Sequence, residues 1–319
     1  MTRAQSRAAL ALALGLFACG EPDAPAPAEA PASSPRDRSN DHDALVQALA
    51  AGDPDALLTA TAQHHAQVRA ALGPHRLHAA VAFELSPEGA PASEEPAVGE
   101  RRPAQQQLAD ELELVWAQAP PNAPRFSLTQ SNDKDRGRDV IVDGDQVYTR
   151  HRNRGWYVGP RQSDVYELWL DDAVRSVHDV LALARPRLAL AARAVAGGGI
   201  AGADAVELTL SRSGTAAPRP DGASPREAWR AKAEIDELSG TVLLDATTAV
   251  WLSAEITVGY SMPGPDGRPL RGRVVLRAQN TPLAPEAAVV SPPTDARPLL
   301  ERTRYELERI ELLDGLAGR

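Results

Sequence analysis

The fold is decided by Val250-Trp-Leu-Ser-Ala-Glu-Ile-Thr-Val-Gly-Tyr260 and, a short step later, Leu270-Arg-Gly-Arg-Val-Val-Leu-Arg-Ala-Gln279. In the first stretch Leu252, Ala254, Ile256, Val258 and Tyr260 share one face. In the second, Leu270, Gly272, Val274, Leu276 and Ala278 do so, while Arg271, Arg273 and Arg277 fall on the opposite face. Side chains of a strand alternate between two faces, so this period of two describes strands covered on one side and wet on the other, as in antiparallel sheet. Between them, Pro263-Gly264-Pro265-Asp266-Gly267 is a turn cluster and keeps the connection short.

The same period recurs upstream. Leu77, Ala79, Val81, Phe83 and Leu85 alternate with polar or small residues. After a polar, proline-containing loop from Ser86 to Gln107, short strands are expected at Glu111 to Gln118, Arg125 to Gln130, Asp139 to Val142, Gln146 to His151 and Trp156 to Val158. Val142-Asp143-Gly144-Asp145 marks a hairpin, since Asp and Gly tolerate positive φ. A second run of strands is expected at Val206 to Leu210, Trp229 to Leu238 and Gly240 to Leu244, leading into the two strands quoted first.

Helical text surrounds these runs. Asp41 to Leu72 carries Leu45, Leu49, Leu57, Leu58 and Val68 among alanines and reads as two helices, the second capped by Asp53 with Pro54 in its first turn. Val165, Trp169, Ala173, Val177, Leu181, Ala184 and Leu188 form one apolar stripe at helical spacing. This predicts a long central helix capped by Ser163, bent near Pro186 and stopped at Gly197-Gly198-Gly199. Pro298 to Leu316 returns to helix. The order predicts an α+β fold in a single domain over residues 41–319, without internal repeat.

The N-terminus sets the address. Arg3 and Arg7 precede a short uncharged apolar run from Ala8 to Ala18. Crossing a ~30 Å hydrocarbon core takes about twenty residues, so the run suits a cleaved signal peptide, residues 1–18, rather than a permanent span. Leu16-Phe17-Ala18-Cys19 resembles the lipobox of bacterial lipoproteins, in which a diacylglycerol is attached to the cysteine thiol and cleavage leaves that cysteine as the new N-terminus. Phe17 is bulkier than that pattern usually has. Cys19 is the sole cysteine of the chain, so it has no internal disulfide partner. A lone thiol in an oxidising compartment is a liability unless it is modified. The expectation is a lipid attachment site at Cys19, with two acyl chains sufficient for stable membrane anchoring. Residues 19–40, rich in proline and alanine, offer too little apolar area to fold and read as a disordered tether. In polyproline-like form, at about 3.1 Å per residue, the tether reaches on the order of 60 Å.

The formal net charge is -9 at pH 7, and loss of Arg3 and Arg7 with the signal peptide makes the mature chain still more acidic. Such a body disfavours nucleic acid as a partner. Among the motifs, His64, His65, His75 and His78 lie close in sequence, but adjacent residues on a helix point about 100° apart, so solvated or capping roles are expected ahead of a zinc site. Asp133, Asp135, Asp139, Asp143 and Asp145 depart from a calcium loop at Gly137 and Arg138, and Arg136 adds further compensating charge; they read as turn residues. Gly197-x-Gly199-x-x-Gly202 matches a dinucleotide fingerprint literally, but it follows a helix and precedes a strand, the reverse of the required order, and reads as a helix stop. Gly259-Tyr260-Ser261-Met262-Pro263 lacks the last glycine of a nucleophile elbow. No catalytic, metal or cofactor-binding residue is nominated.

The order of elements, with Val142-Asp143-Gly144-Asp145-Gln146-Val147-Tyr148 and Trp156, then Gly240-Thr241-Val242-Leu243-Leu244-Asp245 and the strand Trp251 to Tyr260, resembles the LolA/LolB and LppX-type lipoprotein-carrier fold. In that family a curved antiparallel half-barrel is covered by helices. The resemblance spans residues 41 to 280 in outline and implies an apolar groove able to hold acyl chains; it carries no individual residue over as functional. The expected function is therefore a non-catalytic, membrane-anchored envelope lipoprotein facing the periplasm, with a lipid or an acylated lipoprotein as ligand and no cofactor. The alternative is a structural or assembly lipoprotein that binds another envelope protein, and a hydrolase comes third. Gly20, rather than aspartate, follows the cysteine, which by resemblance to enterobacterial sorting favours the outer membrane over the inner.

Overall fold

A computed structural model describes residues 35–87, 106–117, 123–133, 137–151, 154–161, 170, 173–217, 225–264 and 267–299. In chain order the elements are helices α1 (Pro35–Ala50), α2 (Pro54–Thr61) and α3 (His65–Leu72), then strands β1 (His75–Pro87), β2 (Gln106–Trp116), β3 (Arg125–Asn132), β4 (Arg138–Asp143), β5 (Gln146–His151) and β6 (Tyr157–Pro160). Helix α4 (Ser176–Ala184) leads to β7 (Leu188–Val195) and β8 (Ala205–Arg212), followed by the short helix α5 (Pro225–Arg230). The remaining strands are β9 (Glu234–Asp245), β10 (Trp251–Pro263), β11 (Pro269–Pro282) and β12 (Arg297–Pro298).

All the strands join one sheet of twelve in the order β12-β6-β5-β4-β3-β2-β1-β11-β10-β9-β8-β7. Every pairing is antiparallel except the short parallel contact of β12 with β6, and the sheet does not close on itself. Two meanders therefore meet at the centre, where β1 lies against β11. The first runs outward from β1 to β6; the second starts at the far edge with β7 and returns inward. The protein is thus mostly β with short helices, more strand-rich than the expected α+β fold.

The alternating patterns decide the register. Ala254 lies opposite Ala278, Ile256 opposite Leu276, Val258 opposite Val274 and Tyr260 opposite Gly272, so the apolar sets of β10 and β11 share one face. That face continues onto β1, where Val81 lies opposite Leu276 and Phe83 opposite Val274. Leu208, Ile235, Val258 and Leu276 are fully buried there. Burying a side chain of this size contributes about 1.5–3 kcal/mol. Helices supply the cover: α1 packs on α2 and β7, α2 on α4 and β7, and α4 on β10 and β11. Helix α3 covers one end of β2 and β3, with Arg69 5.0 Å above the Trp116 ring and Trp116 stacked 5.2 Å from Phe126. The other face is wet, crossed by ion pairs such as Arg76–Glu113 (3.3 Å) and Arg193–Glu207 (2.8 Å).

Several expectations are corrected. The long central helix ends at Ala184, because Pro186 has no N–H to continue the ladder and Arg185–Arg187 tightens into a 3-10 turn. Leu188–Val195, helical by composition, is instead the edge strand β7, because pairing with β8 along its whole length outweighs helix propensity. Gly197 and Gly202, at φ 65° and 83°, turn the β7–β8 hairpin and stop no helix. Trp229 belongs to α5, and the strands expected on either side of Gly240 are one strand, β9. Gly240 sits where a Cβ would collide with the Glu255 carbonyl, so the strand passes through that point only as glycine. Residues 41–72 contain three helices, the extra break falling at Ala62–His64, and α1 begins at Pro35, inside the stretch read as tether. Pro298, the first residue of the expected C-terminal helix, instead forms β12 with Arg297. Residues 300–319, the cap at Ser163, and Val165 and Trp169 of the stripe lie outside the described residues.

Other expectations hold. Asp53 caps α2 through a 2.9 Å bond from the Asp55 N–H to its carboxylate, with Pro54 in the first turn. The Gly144 hairpin joins β4 to β5, and Gly144, at φ 59°, is the loop residue with positive φ.

Candidate functional site

Cys19 and the rest of the expected lipobox lie outside the described residues, as does Asp135. The four clustered histidines are placed in four different settings. His64 caps α3, its Nδ1 accepting from the Ala66 N–H at 3.2 Å while Gln67 accepts from the His64 N–H at 3.1 Å. His65 is buried, its ring 6.3 Å from that of Trp116. His75 is buried at the start of β1 and donates from Nδ1 to the Gly73 carbonyl at 2.8 Å; burial lowers its pKa. His78 pairs with Glu111 across the wet face at 2.8 Å. Among the described residues no three His, Cys, Asp or Glu side chains gather as a metal site.

The aspartates are similarly dispersed. Asp139 pairs with Arg150 at 2.6 Å, Asp143 with Arg125 at 2.7 Å, and Asp145 lies 3.9 Å from Arg161. Tyr260 is buried against Trp229 in an edge-on contact of 5.6 Å, and Ser261 continues the same strand, so no turn into a helix follows it.

The unusual chemistry sits on the covered face of β2 to β5. Residues directly opposite each other in antiparallel strands point the same way, so register defines rows across that face. The row through Leu77, Leu114, Leu128 and Val140 is apolar and buried. In the next, Ala79 and Leu112 are followed by Gln130, Arg138 and His151. One further on, Val81 is followed by Asp110 and Asn132. The face changes from apolar to polar within two rows, on this half of the sheet.

Asp110 is the centre of that corner. It is 9% exposed and flanked on its own strand by the half-buried Leu108 and Leu112. Gln130 donates from Nε2 to its Oδ2 at 2.8 Å, whereas its Oδ1 is buried with no hydrogen-bond partner among the described residues. Burial raises the Asp110 pKa, and the Gln130 bond and the Arg138 charge oppose that rise. A carboxyl so placed accepts a hydrogen bond when ionised and donates one when protonated, in a setting where a polar group without a partner is costly. The Gln130 amide and the Arg138 charge act on it, and Leu108 and Leu112 flank it along the strand.

Asp110 was missed in the sequence because the expected strand began one residue later, at Glu111. The signal was present: Leu108, Asp110, Leu112, Leu114 and Trp116 share one phase of the alternation, and an acid in the apolar phase marks a polar group turned inward.

No known protein family matches the chain, and no curated protein matches it either. Among the described residues no helix is long and apolar enough to cross a membrane.

Proposed function

We propose that the protein is a non-catalytic envelope lipoprotein, anchored through lipid on Cys19, whose body holds an acyl-bearing ligand against the covered face of its sheet. The finer shape proposed with this function is a curved half-barrel with helices as its cover, as in the lipoprotein carriers that the sequence resembles. The observation that carries the reading is the uneven filling of the covered face. Over β8 to β11 that face is occupied by fully buried side chains, Trp251, Tyr260, Ile235 and Leu208 among them. On β2, Leu108 and Leu112, beside the polar corner at Asp110, are only half-buried, as are Met262 and Leu270 toward the same end of β10 and β11. Ligand sites are largely apolar with a few placed polar groups, and the end of the face around Asp110 has that composition. Delivery to the outer membrane fits Gly20 after the cysteine.

The test is binding of a fluorescent fatty-acyl probe by the mature chain carrying Cys19→Ser, made without residues 1–18. Saturable binding, displaced by unlabelled lipid, is expected. A chain that binds no probe and co-purifies with no lipid defeats the proposal.

One observation favours the alternative, an assembly lipoprotein that binds another envelope protein. Strand β7 is an edge of the sheet, and Ala191–Ala194 along it are exposed. An exposed edge is a template for an added strand. A partner bound there, with no acyl probe taken up, selects that reading.

A further inference from the structure

The two edges of the sheet are unlike. At one, β12 contributes only Arg297 and Pro298, lying on a β6 that ends at Pro160. At the other, β7 runs from Leu188 to Val195 without proline, lysine or bulge, in unbroken register with β8. Short strands, proline and bulges are the usual means of blunting an edge, and β7 has none of them. Which backbone groups it offers follows from one bond. The Ser213 N–H donates to the Arg187 carbonyl at 2.6 Å, and those two residues stand opposite each other in the β7–β8 register. Hydrogen-bonded pairs alternate along an antiparallel ladder, so Arg193 turns its N–H and C=O toward β8, whereas Leu190, Ala192 and Ala194 turn theirs outward. At Leu190 the outward side is occupied: a Cβ on Gly52, in the α1–α2 turn, would lie 2.9 Å from the Leu190 oxygen. Ala192 and Ala194 are exposed and keep the edge open.

Side chains decide what fits there. Ala192 and Ala194 stand opposite the buried Leu208 and Val206, on the covered face, and present two small apolar surfaces. Arg193, between them, points to the other face. It donates from Nε and Nη2 to one oxygen of Glu207, at 3.2 and 2.8 Å, and its side chain is 70% exposed. A residue brought opposite Arg193 on the open side occupies a non-hydrogen-bonded position, where cross-strand side chains lie closest. An acid there is attracted and a base repelled. A second copy of the chain fits poorly. Antiparallel pairing centred on Arg193 sets the arginine against itself, and centring on Ala192 drives Ala194 into the Gly52 turn at Leu190 of the other copy. Centring on Ala194 leaves only Arg193 to Val195 in register.

We propose that the open stretch of β7 receives, antiparallel, an extended segment of a partner protein in which an acidic residue stands between two apolar ones. The acid lies opposite Arg193 and the apolar pair beside Ala192 and Ala194. Strand β8 is already such a segment on the inner side, where Val206, Glu207 and Leu208 stand opposite Ala194, Arg193 and Ala192. The inference deepens the assembly reading given above, on which it rests, and does not depend on lipid binding at the covered face.

The test uses a capped peptide of the β8 sequence, Ala-Val-Glu-Leu-Thr-Leu from residues 205–210, titrated into the isotope-labelled mature Cys19→Ser chain and followed by NMR. Saturable shifts are expected at the Ala192 and Ala194 amides. The same peptide with lysine in place of glutamate should bind on the order of fivefold more weakly, the effect of reversing one cross-strand charge. Arg193→Glu should reverse that preference. Ala192→Pro removes an N–H that β8 does not use, so it should keep the fold and abolish binding. Arg193→Glu serves as the readout if Ala192→Pro does not fold. Binding of neither peptide, or binding that leaves the β7 amides unmoved, overturns docking at this edge and the assembly reading built on it. Equal binding of the two peptides, or an unchanged preference in Arg193→Glu, overturns the acidic partner and leaves the assembly reading standing. A wild-type chain that sediments as a dimer, and as a monomer with Ala192→Pro, assigns the edge to a second copy and overturns the proposal as well. None of these results bears on uptake of an acyl probe, so lipid binding stands or falls separately.

Discussion

At the scale of single residues the structure depends on positions where one side chain fills space another vacates. Gly272 on β11 lies directly opposite Tyr260 on β10, and the tyrosine ring occupies the space a Cβ at 272 would need. An aromatic lying across a strand glycine restores the packing that the glycine lacks. The Tyr260 hydroxyl is buried without a hydrogen-bond partner among the described residues, and burial raises its pKa. Two substitutions are therefore expected to move stability in opposite directions. Gly272→Ala forces the ring out of its place and should cost about 1–3 kcal/mol, as other overpacked cores do. Tyr260→Phe keeps the ring and removes the unsatisfied hydroxyl, so it should be neutral or slightly stabilising. Urea denaturation of the two variants checks the pair; a Tyr260→Phe loss as large as that of Gly272→Ala would mean that the hydroxyl has a partner.

At the scale of elements, sequence period was a good guide to where strands lie and a poor one to where helices end. Strands β1, β10 and β11 were legible because each buries one face and wets the other, so the alternation is written in their residues. Strand β7 was not, because Leu188-Ala-Leu-Ala-Ala-Arg-Ala-Val195 is good helix composition, and only its pairing with β8 makes it a strand. The helices are short and rest on one another through a few specific contacts. His178 of α4 donates from Nδ1 to the Leu58 carbonyl of α2 at 3.1 Å, and beside it Asp179 pairs with Arg230 of α5 at 2.7 Å. Burial lowers the His178 pKa, against the raising effects of Asp179 and the Leu58 bond. The folded protein thus takes up the His178 proton less readily than the unfolded chain does. The stability tied to this neutral histidine is present above the unfolded pKa of about 6.5 and is lost as pH falls from there toward the lower folded pKa. His75, also lowered by burial, acts in the same direction and over the same side of that value. The urea midpoint should therefore fall as pH drops from about 7 to about 5. His178→Asn, which cannot take up the proton, should flatten that slope in part. A slope unchanged in the variant would place the acid sensitivity elsewhere.

At the scale of the whole molecule, the pairing of β1 with β11 organises everything else, and no local pattern in the sequence announces it. Period tells which face a strand buries but not which strand lies beside it, so the two meanders were legible as runs while their junction at the centre of the sheet was not. The partners of Asp110 were hidden for the same reason: Gln130 and Arg138 come from β3 and β4, and register alone brings them onto its face. The proposed address, by contrast, rests on a contiguous stretch, Leu16-Phe17-Ala18-Cys19, and can be tested independently of the fold. If the thiol of Cys19 carries the diacylglycerol, Cys19→Ala removes the only attachment point that the chain offers. The variant should lose acyl labelling and move to the soluble fraction if it is still cleaved, or remain as an uncleaved precursor without acyl label. A wild-type chain that takes no acyl label, or a variant that is cleaved yet stays in the membrane fraction to the same extent, would defeat lipid anchoring. Neither result bears on the sheet, whose buried core among the described residues runs from Leu49 to Val290.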